Sequence, residues 1–125
     1  MNGTLFIFEV FSTYCLSCPR NIPVFNAVYA ATKNDALLKG KVKMIGIAVG
    51  NTENEIKQYS RDFKVLYPVL TDYSFTVHKA LGSVRVPFTI FVKKDVRGRC
   101  VVAATHQGVY GSAEEVMKTL KDILR

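Results

Sequence analysis

Between residues 4 and 11 the chain reads TLFIFEVF, an apolar and aromatic run broken by one acid, Glu9. Gly3 precedes the run and Ser12-Thr13 follow it, so it predicts a buried strand. The period then changes. Ile22, Phe25, Val28 and Tyr29 recur three and four apart, the stripe of a helix lying on a sheet, and predict a helix from Cys15 to about Thr32. Pro19 is tolerable in its first turn, whereas Pro23 must kink it or interrupt its hydrogen bonds. KMIGIAV at 43–49 predicts a second strand, closed by Gly50-Asn51. Thr52 or Asn51 is placed to cap a helix over 53–63, and Glu55, three residues after Thr52, gives that choice the form of a capping box. Residues 67–70 predict a short extended piece, and 74–81 a short helix stopped by Gly82. FTIFVK at 88–93 and residues 100–105 predict two strands joined by a hairpin at 95–98. Ser112 caps a last helix, Ala113–Leu124, whose inner stripe is Val116, Leu120, Ile123 and Leu124. Phe6, Phe8, Phe11, Phe25, Phe88 and Phe91 are candidate core residues.

Strands alternating with helices imply parallel pairing through right-handed crossovers. The closing hairpin adds antiparallel strands. The expected fold class is therefore α/β, a mixed central sheet with helices on both faces. At 125 residues, with 49% apolar and 22% charged side chains, the chain suits one domain over 1–125 and is unlike a disordered, collagenous or coiled-coil sequence. Every long apolar stretch is interrupted within about ten residues, too short to span a bilayer. The net charge of +7 comes from scattered lysines and arginines with no run of five like charges, which reads as a solvated surface and not as a nucleic-acid interface. No basic region or small-residue cleavage site precedes the first strand, as a secretory leader would require.

The chemistry concentrates at Cys15-Leu16-Ser17-Cys18. A thiol at a helix N-terminus is stabilised as thiolate by unpaired N–H groups and the helix dipole, with a pKa lowered to about 3.5–7.5. Cys15 is predicted at that start, and Cys18 lies one turn deeper and more covered, which suits one attacking and one resolving thiol. Residues three apart on a helix share a face, and modest distortion brings their Cβ atoms within disulfide range. The same pair is open to two other readings, half of a zinc site or two inert buried thiols. Zinc needs four ligands, and Cys100, His78 and His106 form no second pair, so no metal is assigned. Cys100 reads as a small buried hydrophobe. His78 reads as a surface or cap residue and His106 as a satisfied polar one. Glu9, alone on its apolar strand, is a candidate buried acid with a raised pKa, able to accept a proton from Cys18.

The stretch Phe11-Ser12-Thr13-Tyr14-Cys15-Leu16-Ser17-Cys18-Pro19-Arg20, followed by Pro23, resembles the active-site segment of the thioredoxin superfamily, and most closely that of the TlpA-like thiol-disulfide oxidoreductases. A second anchor, Val84-Arg85-Val86-Pro87-Phe88-Thr89-Ile90-Phe91, is similar to the family loop whose proline is cis and faces the dithiol. The long spacing between the anchors fits the TlpA-like extra strand and helix. The resemblance covers nearly the whole chain. It implies a thioredoxin-like sheet, a redox-active disulfide between Cys15 and Cys18, a cis Val86–Pro87 bond, and backbone pairing of substrate at Val86 beside Pro87. It also places Glu9 where thioredoxin has its buried acid and Tyr14 where these families usually carry Trp. The dipeptide Leu16-Ser17 departs from the family's proline or glycine, which leaves the direction of electron flow open. Asn21 stands where some members that reduce apocytochrome have glutamate, so that specific role loses support.

The resemblance thus implies exchange of disulfides with protein thiol or disulfide substrates and a redox partner, by a monomer that needs no cofactor. Location is expected to be extracytoplasmic if a leader has been removed, and otherwise cytoplasmic. Three other functions compete. A Sco-like copper chaperone would have its cysteines at CxxxC, a peroxiredoxin-type peroxidase would match Ser12-x-x-Cys15, and a redox-inactive interaction module can share the fold.

Overall fold

A computed structural model describes residues 4–124. Gly3, read above as the boundary of the first strand, lies outside the described residues with Met1 and Asn2. Strands β1 (Thr4–Phe11), β2 (Val42–Val49), β3 (Val69–Asp72), β4 (Phe88–Lys94) and β5 (Cys100–Gln107) form one sheet in the order β3-β2-β1-β4-β5. β1 pairs in parallel with β2, and β2 with β3. β4 is antiparallel to β1 and β5 antiparallel to β4.

Parallel neighbours need crossovers. Helices α1 (Ile22–Asn34) and α2 (Glu53–Asp62) carry the chain from β1 to β2 and from β2 to β3. Both steps move the same way across the sheet, so right-handed connections place both helices on one face. α4 (Ala113–Leu124) joins them there: its Val116 and Leu120 pack with Phe25 and Val28 of α1 and with Leu5 and Ile7 of β1. α3 (Thr76–Ala80) bridges β3 to β4, and Leu81 at its end packs with Val10, Val49 and Ile90 on the opposite face. This is the thioredoxin-like arrangement expected from the sequence.

The side-chain alternation of β1 organises the interior. Leu5, Ile7, Glu9 and Phe11 point to the face covered by α1, α2 and α4, and all four are buried. Phe6 and Phe8 point to the other face, where they stack on each other with ring centroids 5.7 Å apart and remain half-buried. The six candidate core phenylalanines therefore divide. Phe11, Phe25 and Phe91 are buried, whereas Phe6, Phe8 and Phe88 are only partly covered, because the five-residue α3 shields little of their face. Cys100 is also corrected. It is exposed, because β5 is an edge strand and Cys100 opens it directly after the hairpin.

Candidate active site

The site begins where β1 ends. After Phe11 the chain turns through residues 12–17, and a fully buried Asn51 at the end of β2 holds that turn. Its Oδ1 accepts a hydrogen bond from the Thr13 amide (2.9 Å) and its Nδ2 donates to Thr13 Oγ1 (2.7 Å). Within the turn the Cys15 amide donates to the Ser12 carbonyl at 3.1 Å.

The helix expected from Cys15 does not start there. Residues Cys18–Asn21 form a 3-10 turn, and α1 opens only at Ile22. The prolines are the reason. Pro23 has no N–H to donate to Pro19, so the ladder breaks, the Ile22 amide bonds Pro19 instead, and Pro23 settles in the first turn of α1. Cys15 thus sits in the turn ahead of the 3-10 segment and not at a helix N-terminus.

Cys15 and Cys18 are disulfide-bonded, with Cα atoms 5.4 Å apart, inside the usual range. The expected asymmetry is present. Cys18 is 1% exposed among Phe11, Ile22 and Ala48, while Cys15 is half-buried beside a 97% exposed Leu16. Cys15 Sγ lies 3.5 Å from Ser17 Oγ and 3.9 Å from the Val86 carbonyl oxygen.

That second contact brings in the loop before β4, 71 residues away in sequence. The Val86–Pro87 peptide is cis. The loop is anchored on both sides. A His78 ring nitrogen lies 2.7 Å from the Val84 carbonyl, and the Pro87 carbonyl accepts from the Gly108 amide (2.8 Å) and Gln107 Nε2 (3.3 Å). His78 is itself placed by the buried Asp72, whose carboxylate accepts the Val77 and His78 amides at 3.0 and 2.9 Å. Tyr14 is 70% exposed, and its hydroxyl donates to the Glu55 carboxylate. That bond raises the Tyr14 hydroxyl's pKa and lowers that of Glu55. Glu55 also closes the capping box, accepting from the Thr52 amide at 2.8 Å.

Glu9 is 2% exposed on the same face as Phe11, the residue packed on Cys18. Desolvation raises its carboxyl from near 4.5 to about 7, against smaller opposing effects of Asn21 and Tyr67. Tyr67 donates to Oε1 at 3.2 Å, and Oε2 has no hydrogen-bond partner among the described residues. Burial together with the nearby Glu9 charge raises the Tyr67 hydroxyl and pushes that of Tyr59 up to about 12. Gly46 pairs with Glu9 across the sheet, and a Cβ there would lie 3.2 Å from the Phe11 ring and 3.4 Å from the Tyr67 ring. Glycine at this position lets both rings close over the acid.

The structure thus brings Cys15, Cys18, Val86 and Pro87 together, with Tyr14 at the rim and Glu9 beneath the same sheet face. The sequence reading missed Asn51, Asp72 and Tyr67 as organisers. It also missed Asn21, fully buried with Oδ1 accepting from the Tyr110 amide at 2.8 Å. Only Asn51 carried a signal, its place between the second strand and the helix after it, where it read as a candidate cap and not as an anchor of the dithiol turn. His106 stacks on Tyr110 at 3.7 Å between ring centroids. Among the described residues no group of three or more His, Cys, Asp or Glu side chains is placed to hold a metal ion.

Comparison with known proteins agrees with this geometry. No family model matches the chain. It is 23% identical over 93 residues to the thiol-disulfide oxidoreductase ResA of Geobacillus thermodenitrificans, covering 74% of this chain and 51% of that protein. The chain therefore spans about half the length of this curated relative. Among solved structures, StoA from Bacillus subtilis superposes with a TM-score of 0.74 at 17% identity, over 96% of this chain and 84% of that one. A secreted disulfide oxidoreductase of Mycobacterium tuberculosis gives 0.70 at 16% identity, over 97% and 83%. These superpositions show a thioredoxin-like fold.

Proposed function

Proceeding from a thioredoxin-fold chain with Cys15 in the turn after β1 and Cys18 opening the 3-10 segment that follows, we propose that it is a thiol-disulfide oxidoreductase acting on protein substrates as a single domain over 1–125. The observation that carries the reading is the unequal cover of one disulfide pair beside the Val86–Pro87 loop. In the reduced protein the accessible Cys15 thiolate attacks a substrate disulfide. One substrate sulfur joins Cys15 and the other leaves as thiolate. Cys18 then attacks the Cys15 sulfur, restoring the disulfide and releasing the second substrate thiolate. Run backwards, the same steps oxidise a substrate dithiol.

Glu9 is the proton acceptor for Cys18 in this scheme, since a carboxyl titrating near 7 exchanges protons at neutral pH. The backbone of the half-buried Val86, beside Cys15, offers a docking edge for an extended substrate segment. Tyr14 borders that segment. The protein acts as a monomer, receives or passes on electrons through a redox partner, and uses neither cofactor nor nucleic acid. No helix among the described residues is long and apolar enough to cross a membrane. One solved neighbour is described as secreted, which supports an extracytoplasmic location.

Trapping tests the assignment. The Cys18→Ala variant is expected to accumulate mixed disulfides with substrate proteins, and Cys15→Ala is not. Equal trapping by both, or alkylation of reduced protein at pH 6–7 that labels Cys18 before Cys15, overturns it.

A further inference from the structure

Beside the dithiol, on the side of β2 and α3, lies a cleft of about 220 Å³ walled mainly by Tyr14, Val49, Phe75, His78 and Val86, with Gly50 and Ser12, the latter carrying a hydroxyl, as its small residues. We propose that it is a specificity pocket for an apolar or aromatic side chain lying two residues from the substrate's reacting cysteine. This rests on the disulfide-exchange reading.

The size favours one side chain. Sites for whole small molecules run to about 300–1,000 Å³. The walls favour an apolar one. Tyr14, Val49, Phe75 and Val86 present carbon, and the His78 ring nitrogen nearest the loop is already engaged by the Val84 carbonyl. The position favours the substrate chain. Tyr14 directly precedes Cys15, and the Val86 carbonyl lies 3.9 Å from Cys15 Sγ. A segment that brings its cysteine to Cys15 along Val86 in an extended conformation turns every second side chain toward the same surface. The residues two before and two after the cysteine are therefore the candidates to enter.

Phe75 is held against its own backbone preference. Its backbone is left-handed, with φ of 65°, a rare conformation for a bulky side chain. Asp72 enforces it. The Asp72 carbonyl accepts the Phe75 amide at 3.1 Å, and the Asp72 carboxylate accepts the amides of Val77 and His78 in the first turn of α3. Glycine would suit this backbone better. The ring is not committed to the core either, since Phe75 is 44% exposed. It lies across Gly50, where a Cβ would come within 2.7 Å of the ring tip. A strained backbone presents an exposed aromatic ring at the edge of the reactive disulfide, and Gly50 leaves it room.

The test uses the full chain in a Cys18→Ala, Cys100→Ser background, so that Cys15 is the single thiol. The probes are peptides Phe-Gly-Cys-Gly-Phe and Ser-Gly-Cys-Gly-Ser, each joined through its cysteine to thionitrobenzoate. The Cys15 thiolate bonds the peptide sulfur, the old disulfide breaks, and coloured thionitrobenzoate leaves. One disulfide replaces another, so no further oxidant is needed. We expect the Phe peptide to react at least about 10-fold faster than the Ser peptide, the scale set by burying one large apolar side chain. Phe75→Gly, which relaxes the backbone and should fold, is expected to reduce the ratio to about 2-fold or less, and Phe75→Leu to retain most of it. No preference in the parent protein, or a preference that survives Phe75→Gly, overturns the pocket. Reaction with dithiobis(nitrobenzoate) separates the two levels. A Cys15 that attacks it without peptide preference refutes the pocket alone, and a Cys15 that fails to attack it refutes the exchange reading and the pocket together.

Discussion

Glu9 is the residue on which the proton chemistry turns. Its folded-state carboxyl titrates near 7, above the ordinary value near 4.5. Between those values the folded protein binds more protons than the unfolded chain, so stability falls as pH rises through this window. It is fully present below about 4.5 and at its reduced level above about 7, a difference on the order of 3 kcal/mol by the conversion of pKa shift to free energy. Glu9→Gln removes the titration. Urea unfolding is expected to show the wild type less stable at pH 8 than at pH 5, and the variant nearly level between them. Turnover near neutral pH is expected to slow about 10–100-fold in the variant, the loss of one general acid-base group. Rates that match the wild type throughout pH 5–9 would remove Glu9 from the mechanism. Gly46 tests the cage around it. Gly46→Ala sets a methyl 3.2 Å from Phe11 and from Val69, and is expected to cost about 1–3 kcal/mol as overpacking, read as a lower urea midpoint with unchanged slope.

Among the elements, the junction of β2 and α2 controls the dithiol turn. Two adjacent residues do different work there. Thr52 closes a capping box with Glu55, and Asn51 reaches back to Thr13 with both ends of its amide. Thr52→Ala is expected to cost about 1 kcal/mol, a normal cap loss. Asn51→Ala strands the Thr13 amide and hydroxyl near buried surface and is expected to cost more, about 1–3 kcal/mol. Parallel urea titrations check the order of the two. The capping box was legible in sequence because cap and partner are three residues apart and one helix turn makes both bonds. The contact of Asn51 with Thr13 spans 38 residues, and nothing local announces it. The false helix start at Cys15 has a local cause. The apolar stripe begins at Ile22, and extending it back to the cysteines ignored what Pro23 does to the hydrogen-bond ladder. Cys100 was misread for the converse reason, since only the strand order shows that β5 is an edge.

At the scale of the molecule, the element order was enough for the sheet, because right-handed crossovers allow few arrangements of these strands. The site depended more on resemblance. CxxC marks a reactive pair, but the meeting of Cys15 with Val86 is made by the sheet, which sets β1 between β2 and β4. The organisers Asp72, Tyr67 and Asn21 act across 5 to 89 residues and became visible only with the fold. Every step of the proposed reaction requires that Cys15 and Cys18 form a working two-electron couple. Its most direct test is equilibration of the protein in glutathione buffers of graded ratio, acid-quenched and resolved by mass after alkylation. One transition is expected, in which both thiols are lost together at a potential between about −270 and −120 mV, the span of thioredoxin-fold reductants and oxidants. Thiols that titrate separately, or a pair that stays unchanged across the whole series, would contradict it.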